Sequence, residues 1–139
     1  KTNVTLRSPH STRPWQHVLE PLSGYLLLSK RLYENEISYE GSWNFGPNSD
    51  EIGSVDTVAR SILSNFQDIY VKHEIVENAV YEAGLLQLNC DKAKSQLGWR
   101  PKWGLEQTIK ETALWYKTYL EDKDINKFTM DQINRYFES

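Results

Sequence analysis

Few residues in this chain have the type and spacing to do covalent or metal chemistry. The histidines are His10, His17 and His73, and the one cysteine is Cys90. No histidine has a ligand-type partner four residues on, so the spacing offers no zinc site. His17 and Glu20 lie three apart, which could hold a ligand pair on a helix but reads more simply as a polar face. Tyr119 and Lys123 have the Tyr-x-x-x-Lys spacing at which an ammonium can lower a phenol's pKa. They close an amphipathic stretch beside Glu121 and Asp122, and a surface role is the better reading. No Gly-x-Gly-x-x-Gly, Gly-x-x-Gly-x-x-Gly, P-loop or Gly-x-Ser-x-Gly occurs. The sequence therefore assigns no catalytic, cofactor-binding or metal-binding residue.

Arg13 stands in a loop between a strand-like and a helix-like stretch. A guanidinium there can present a planar fork to a diphosphate, or simply pair with a surface carboxylate. Asn44 precedes Gly46-Pro47, where its amide can donate to a phosphate oxygen or stabilise the turn. Trp15 and His17 follow Arg13 and can wall a site, or anchor the start of a helix. Arg7 adds positive potential nearby, with an exposed structural role the simpler reading.

The elements that must position these residues alternate between strand and helix. Residues 3–7 read as a strand, and 8–14, with Pro9 and Pro14, as a loop. Val18, Leu22, Tyr25, Leu26, Ser29, Leu32 and Tyr33 keep the helical period, and Pro21 sets the regular helix at about 20–34. Residues 43–46 read as a short strand stopped by Gly46-Pro47. Ser54 caps a helix over 55–66, and 69–76 and 85–88 alternate weakly as strands. Asn89 or Asp91 caps a helix over 91–97, stopped by Gly98. A long helix follows over 105–121, and Thr129 caps a last one over 130–137. The expected fold is α/β, helix-rich with a few short strands, and forms one domain over residues 1–139.

Composition narrows the partners. Lys and Arg number 16 against 19 Asp and Glu, a net charge of −3, which argues against a counterion-releasing nucleic-acid binder. No apolar run approaches a membrane span, and no targeting signal is visible. One cysteine makes no internal disulfide, as expected of a cytoplasmic chain. Five Trp, eight Tyr and four Phe supply large core residues, some of which could instead stack on a flat ligand.

One stretch is specific. Residues 13–26, Arg13-Pro14-Trp15-Gln16-His17-Val18-Leu19-Glu20-Pro21-Leu22-Ser23-Gly24-Tyr25-Leu26, closely resemble a segment of the CDP-glucose 4,6-dehydratases, which are extended short-chain dehydrogenases. Trp43-Asn44-Phe45-Gly46-Pro47, Leu97-Gly98-Trp99-Arg100-Pro101-Lys102-Trp103, the Thr112/Trp115-Tyr116 group and the ending from Thr129 to Tyr136 follow in the family's order. The resemblance covers nearly the whole chain but only the last two-fifths or so of such an enzyme. It implies a C-terminal substrate-binding portion whose NAD-binding Rossmann unit and Tyr-x-x-x-Lys pair lie outside this chain. NAD would then belong to the parent, and the ligand here would be a nucleotide-sugar, CDP-glucose first. The parent would convert it to CDP-4-keto-6-deoxyglucose. The resemblance assigns Arg13 to the phosphates, aided by Asn44, with Trp15, His17 and Tyr81 near the substrate. Loss of the Rossmann partner should also leave an apolar face exposed.

The chain departs from the family at Tyr81-Glu82-Ala83-Gly84, where histidines usually flank Glu-Ala, and at Asn89, usually Asp. A related epimerase or dehydratase using another base, and a non-catalytic binding module, are the alternative readings.

Overall fold

A computed structural model of the chain describes residues 2–34, 37–73 and 84–139. Strand β1 (Thr2–Leu6) pairs in parallel with β4 (Ile69–His73), in the register Thr2↔Ile69 to Leu6↔His73. The crossover between them contains α1 (Leu19–Tyr33) and α2 (Val55–Leu63). A second pair, β2 (Thr12–Arg13) and β3 (Gly53–Ser54), is antiparallel. Helices α3 (Leu105–Leu120) and α4 (Ile125–Glu138) complete a helix-rich α/β chain; α2 packs on α3, and α3 on α4.

Most elements follow from local chemistry. Pro21 sits in the first turn of α1, where its missing N–H has no intrahelical partner to lose. Ser54 caps α2, its side chain accepting from Thr57 N–H at 3.1 Å. Asp68, with φ 58°, turns the chain into β4. Asn89 Oδ1 accepts from Asp91 N–H at 2.9 Å and opens a helical turn that widens over Ala93–Leu97. Gly98, with φ 73°, stops it.

Three expectations are corrected. Residues 43–46 belong to no strand, because no neighbouring strand among the described residues completes a ladder. Phe45 is instead held by its ring in the core with Ala93, Leu97 and Trp99, and by its carbonyl, which accepts from Gln16 Nε2 at 2.9 Å. Residues 85–88 form no strand either. Helix α4 starts at Ile125, because Asp124 is the better cap and accepts from Lys127 N–H at 2.9 Å. Thr129 lies inside the helix, donates to Ile125 O at 2.7 Å and accepts the Trp115 indole N–H at 3.0 Å.

The apolar stripe that marks α1 as a helix faces outward. Val18, Leu22, Tyr25, Leu26 and Tyr33 are exposed, Tyr33 at 88%. The inward face carries Glu20, Ser23, Gly24, Leu27 and Leu28. Gly24 is required there, since a Cβ at this position would overlap the Phe45 ring.

Glu20 is 0% exposed and ties three segments together. Its carboxylate accepts from Trp103 N–H at 2.7 Å, from Lys102 N–H at 3.1 Å and from the Tyr136 hydroxyl at 2.8 Å. Burial pushes the Tyr136 phenol far above its ordinary value; the Ser23 hydrogen bond opposes this and the neighbouring carboxylate adds to it. Lys102 Nζ caps the end of α4 by donating to the carbonyls of Tyr136 at 3.0 Å and Ser139 at 2.8 Å. This knot fixes the start of α1, and with it the strap of residues 12–18 that carries Arg13.

Candidate functional site

The strap is held at both ends. Arg13 pairs with Gly53 in the β2–β3 ladder, and the Trp15 indole N–H donates to Gly53 O at 2.9 Å. Thr12 N–H donates to Gly84 O at 2.8 Å, so the segment from Gly84 onward lies against the strap. Arg13 Nη1 donates to Thr12 O at 2.7 Å. With Pro14, Pro47, Asn48, Glu51 and Gln87, Arg13 lines a small cleft of about 40 Å³. Lys94 Nζ donates to Asn48 Oδ1 at 3.2 Å, but Lys94 is not itself part of the cleft's lining. The Arg13 guanidinium suits an anionic ligand, whereas Glu51 in the lining opposes one.

The other candidates are dispersed. Asn44 is exposed and donates from Nδ2 to Asn89 O at 3.1 Å, away from the lining of the Arg13 cleft. Asn89 itself opens the helical turn at Asp91. Trp15 is half-buried and fixed on Gly53. His17 is buried against Trp103, the rings edge to face with centroids 4.9 Å apart. Tyr81 lies outside the described residues. Tyr119 stacks on Trp115 with centroids 5.8 Å apart, and Lys123 pairs with Glu121. Among the described residues no group of three or more His, Cys, Asp or Glu is placed to hold a metal ion.

Much of the specific segment 13–26 serves packing: Gln16 holds Phe45, His17 meets Trp103, Glu20 binds the knot and Gly24 admits the Phe45 ring. Trp99 and Trp103 are likewise core residues, both buried.

The sequence of the chain is 37% identical over 136 residues to CDP-glucose 4,6-dehydratase of Salmonella typhimurium strain LT2. That match covers 98% of this chain and 38% of the relative. A crystal structure of dTDP-glucose 4,6-dehydratase from Bacillus anthracis str. Ames, in complex with NAD, superposes with a TM-score of 0.61. It is 21% identical, and the match covers 84% of this chain and 35% of that one. The sequence match is to a CDP-glucose 4,6-dehydratase, and the structural match shows that the fold is shared. No family model matches the chain. The chain spans well under half the length of its dehydratase relative. The turn after β1 is Arg7-Ser8-Pro9-His10, without glycine and with Pro9 lacking an N–H, so this turn does not fit a dinucleotide pyrophosphate. No step through NAD is therefore derived for these residues.

Two buried groups set the pH response of the chain. Burial lowers the His17 pKa below its ordinary 6.5, with Glu111 pulling weakly the other way. Burial raises Glu111, but hydrogen bonds from Gln132 and Arg135 outweigh it and leave that carboxyl below its ordinary value. On acidification the unfolded chain protonates His17 first, so stability falls as pH drops below about 6.5 towards the folded value. Urea midpoints measured between about pH 7.5 and 5.5 should decline for the native chain and stay flatter for His17→Gln. Identical slopes for the two would contradict the burial argument. Loss of the Glu111 contribution follows at lower pH, as pH falls through the depressed carboxyl value.

Proposed function

We propose that this chain forms the nucleotide-sugar-binding portion of a CDP-glucose 4,6-dehydratase-like enzyme. The observation that carries the reading is the likeness to a CDP-glucose 4,6-dehydratase along 98% of the chain. The strap that sets Arg13 in the lining of a cleft is consistent with it. In this reading Arg13 donates guanidinium N–H groups to the diphosphate. Trp15 acts by pinning the strap to Gly53, and His17 by anchoring the helix start.

The whole enzyme would remove water across C5–C6 of the glucose unit, giving CDP-4-keto-6-deoxyglucose. The NAD that supplies the redox chemistry would be held by the Rossmann portion outside this chain. A single buried free thiol, Cys90, fits a cytoplasmic location for such an enzyme. Among the described residues no helix is long and apolar enough to cross a membrane.

Saturation-transfer NMR on the 139-residue chain tests the ligand class. CDP-glucose should show transfer to its ribose and sugar protons, displaceable by CDP; NAD should show none that saturates. Equal transfer to dTDP-glucose would move the reading to a relative using another base. Transfer to NAD alone would remove it.

A further inference from the structure

A cluster apart from the Arg13 cleft gathers where β1 and β4 end and α2 begins. His73 closes β4 opposite Leu6. Its Nε2 lies 2.7 Å from Asp56 Oδ1 and 3.4 Å from Arg60 Nη2. Arg60 Nε donates to both Asp56 oxygens at 2.9 Å. The hydrogen bonds from Arg60 and His73 hold the Asp56 carboxyl below its ordinary value, so Asp56 is the acceptor and His73 Nε2 carries the proton. The lone pair of the neutral ring is then on Nδ1.

His10, on the turn after β1, is the neighbouring imidazole. The two rings meet edge to face with centroids 6.3 Å apart. The backbone on both sides of His10 is fixed to α2: Pro9 O accepts from Asp56 N–H at 3.0 Å, and Ser11 O from Val55 N–H at 2.9 Å. Both rings are exposed, and neither the His10 ring nor His73 Nδ1 makes a hydrogen bond among the described residues. A carboxylate on one imidazole nitrogen fixes the ring and makes the other nitrogen a better metal ligand. Two imidazoles on one tetrahedral ion have centroids about 5 Å apart, so the exposed His10 ring has about 1 Å to close. The third histidine, His17, is buried and does not compete.

We propose that His10 and His73 together bind a divalent ion of the zinc class, His73 through Nδ1, with Asp56 as the outer carboxylate that orients the His73 ring. Among the described residues no third His, Cys, Asp or Glu is placed to ligate the ion, so water fills the remaining positions, as in an open site. Imidazole ligands select zinc and copper over magnesium and calcium, which take oxygen. The ion ties the turn after β1 to the end of β4, just before the strap begins at Thr12. The site shares no residue with the lining of the Arg13 cleft and does not rest on the nucleotide-sugar reading.

The test is a titration of Zn²⁺ alone into the 15N-labelled 139-residue chain, with Mg²⁺ as the comparison. Zn²⁺ should shift His73 Nδ1 and one His10 ring nitrogen saturably, while His73 Nε2 stays protonated on Asp56; Mg²⁺ should move neither. His10→Gln and His73→Gln should each weaken Zn²⁺ binding at least about tenfold. The His10 ring is exposed and its turn is held by backbone bonds, so His10→Gln keeps the fold. A flat Zn²⁺ titration, binding unchanged by either variant, coordination through His73 Nε2, or an equal response to Mg²⁺ overturns the proposal. No nucleotide is present, so the outcome is independent of whether Arg13 binds a nucleotide-sugar.

Discussion

Glu20→Ala is expected to destabilise the fold by about 3–5 kcal/mol, a large share of the roughly 5–15 kcal/mol typical of a domain. The carboxylate has no exposure, and its removal leaves the N–H groups of Lys102 and Trp103 and the Tyr136 hydroxyl without an acceptor. Each unmatched buried donor costs about 1–3 kcal/mol, with some relief where Tyr136 turns to Ser23 at 3.0 Å. Tyr136→Phe removes one donor and should cost only about 1–2 kcal/mol, since the backbone donors keep their acceptor. Urea unfolding with an unchanged slope measures both. A Glu20→Ala cost below about 1 kcal/mol would show that the knot is hydrated and contributes little.

Glu20 also shows where the sequence stops being legible. The periodic apolar residues of α1 reveal a helix, and it forms where they place it. They do not reveal which face turns inward. Val18, Leu22, Tyr25 and Leu26 point to solvent in this chain. The inward face is built on a carboxylate, a serine and a glycine, which periodicity scores as polar or neutral. The serine and the carboxylate act on partners 76 and 116 residues away along the chain, Trp99 and Tyr136, and the glycine on the Phe45 ring. Residues 43–46 fail for the same reason: strand propensity is local, whereas a ladder needs a neighbour. Thr129 was a plausible cap by type, but Asp124 stands where the turn after α3 delivers the chain. At the candidate site the sequence reads Arg13 as a loop guanidinium, whereas the structure puts it in the two-residue strand β2, because a ladder with Gly53 depends on a partner 40 residues away along the chain.

Arg13→Ala should weaken CDP-glucose binding by about tenfold to over a hundredfold. A charge-assisted contact to a phosphate contributes about 1.5–3 kcal/mol, which converts to that range. The fold should survive the change, because the strap is pinned independently by the β2–β3 pair, by Trp15 on Gly53 and by Thr12 on Gly84. Arg13→Lys should recover only part of the loss, since an ammonium keeps the charge but not the planar fork. The most direct measurement is a calorimetric titration of CDP-glucose into the chain joined to its Rossmann portion, comparing Arg13 with Arg13→Ala at one ionic strength. The account predicts a dissociation constant raised at least about tenfold, with the urea midpoint unchanged. A constant within about twofold, under about 0.5 kcal/mol, would make Arg13 a structural residue and contradict the assignment of this strap to the nucleotide-sugar phosphates.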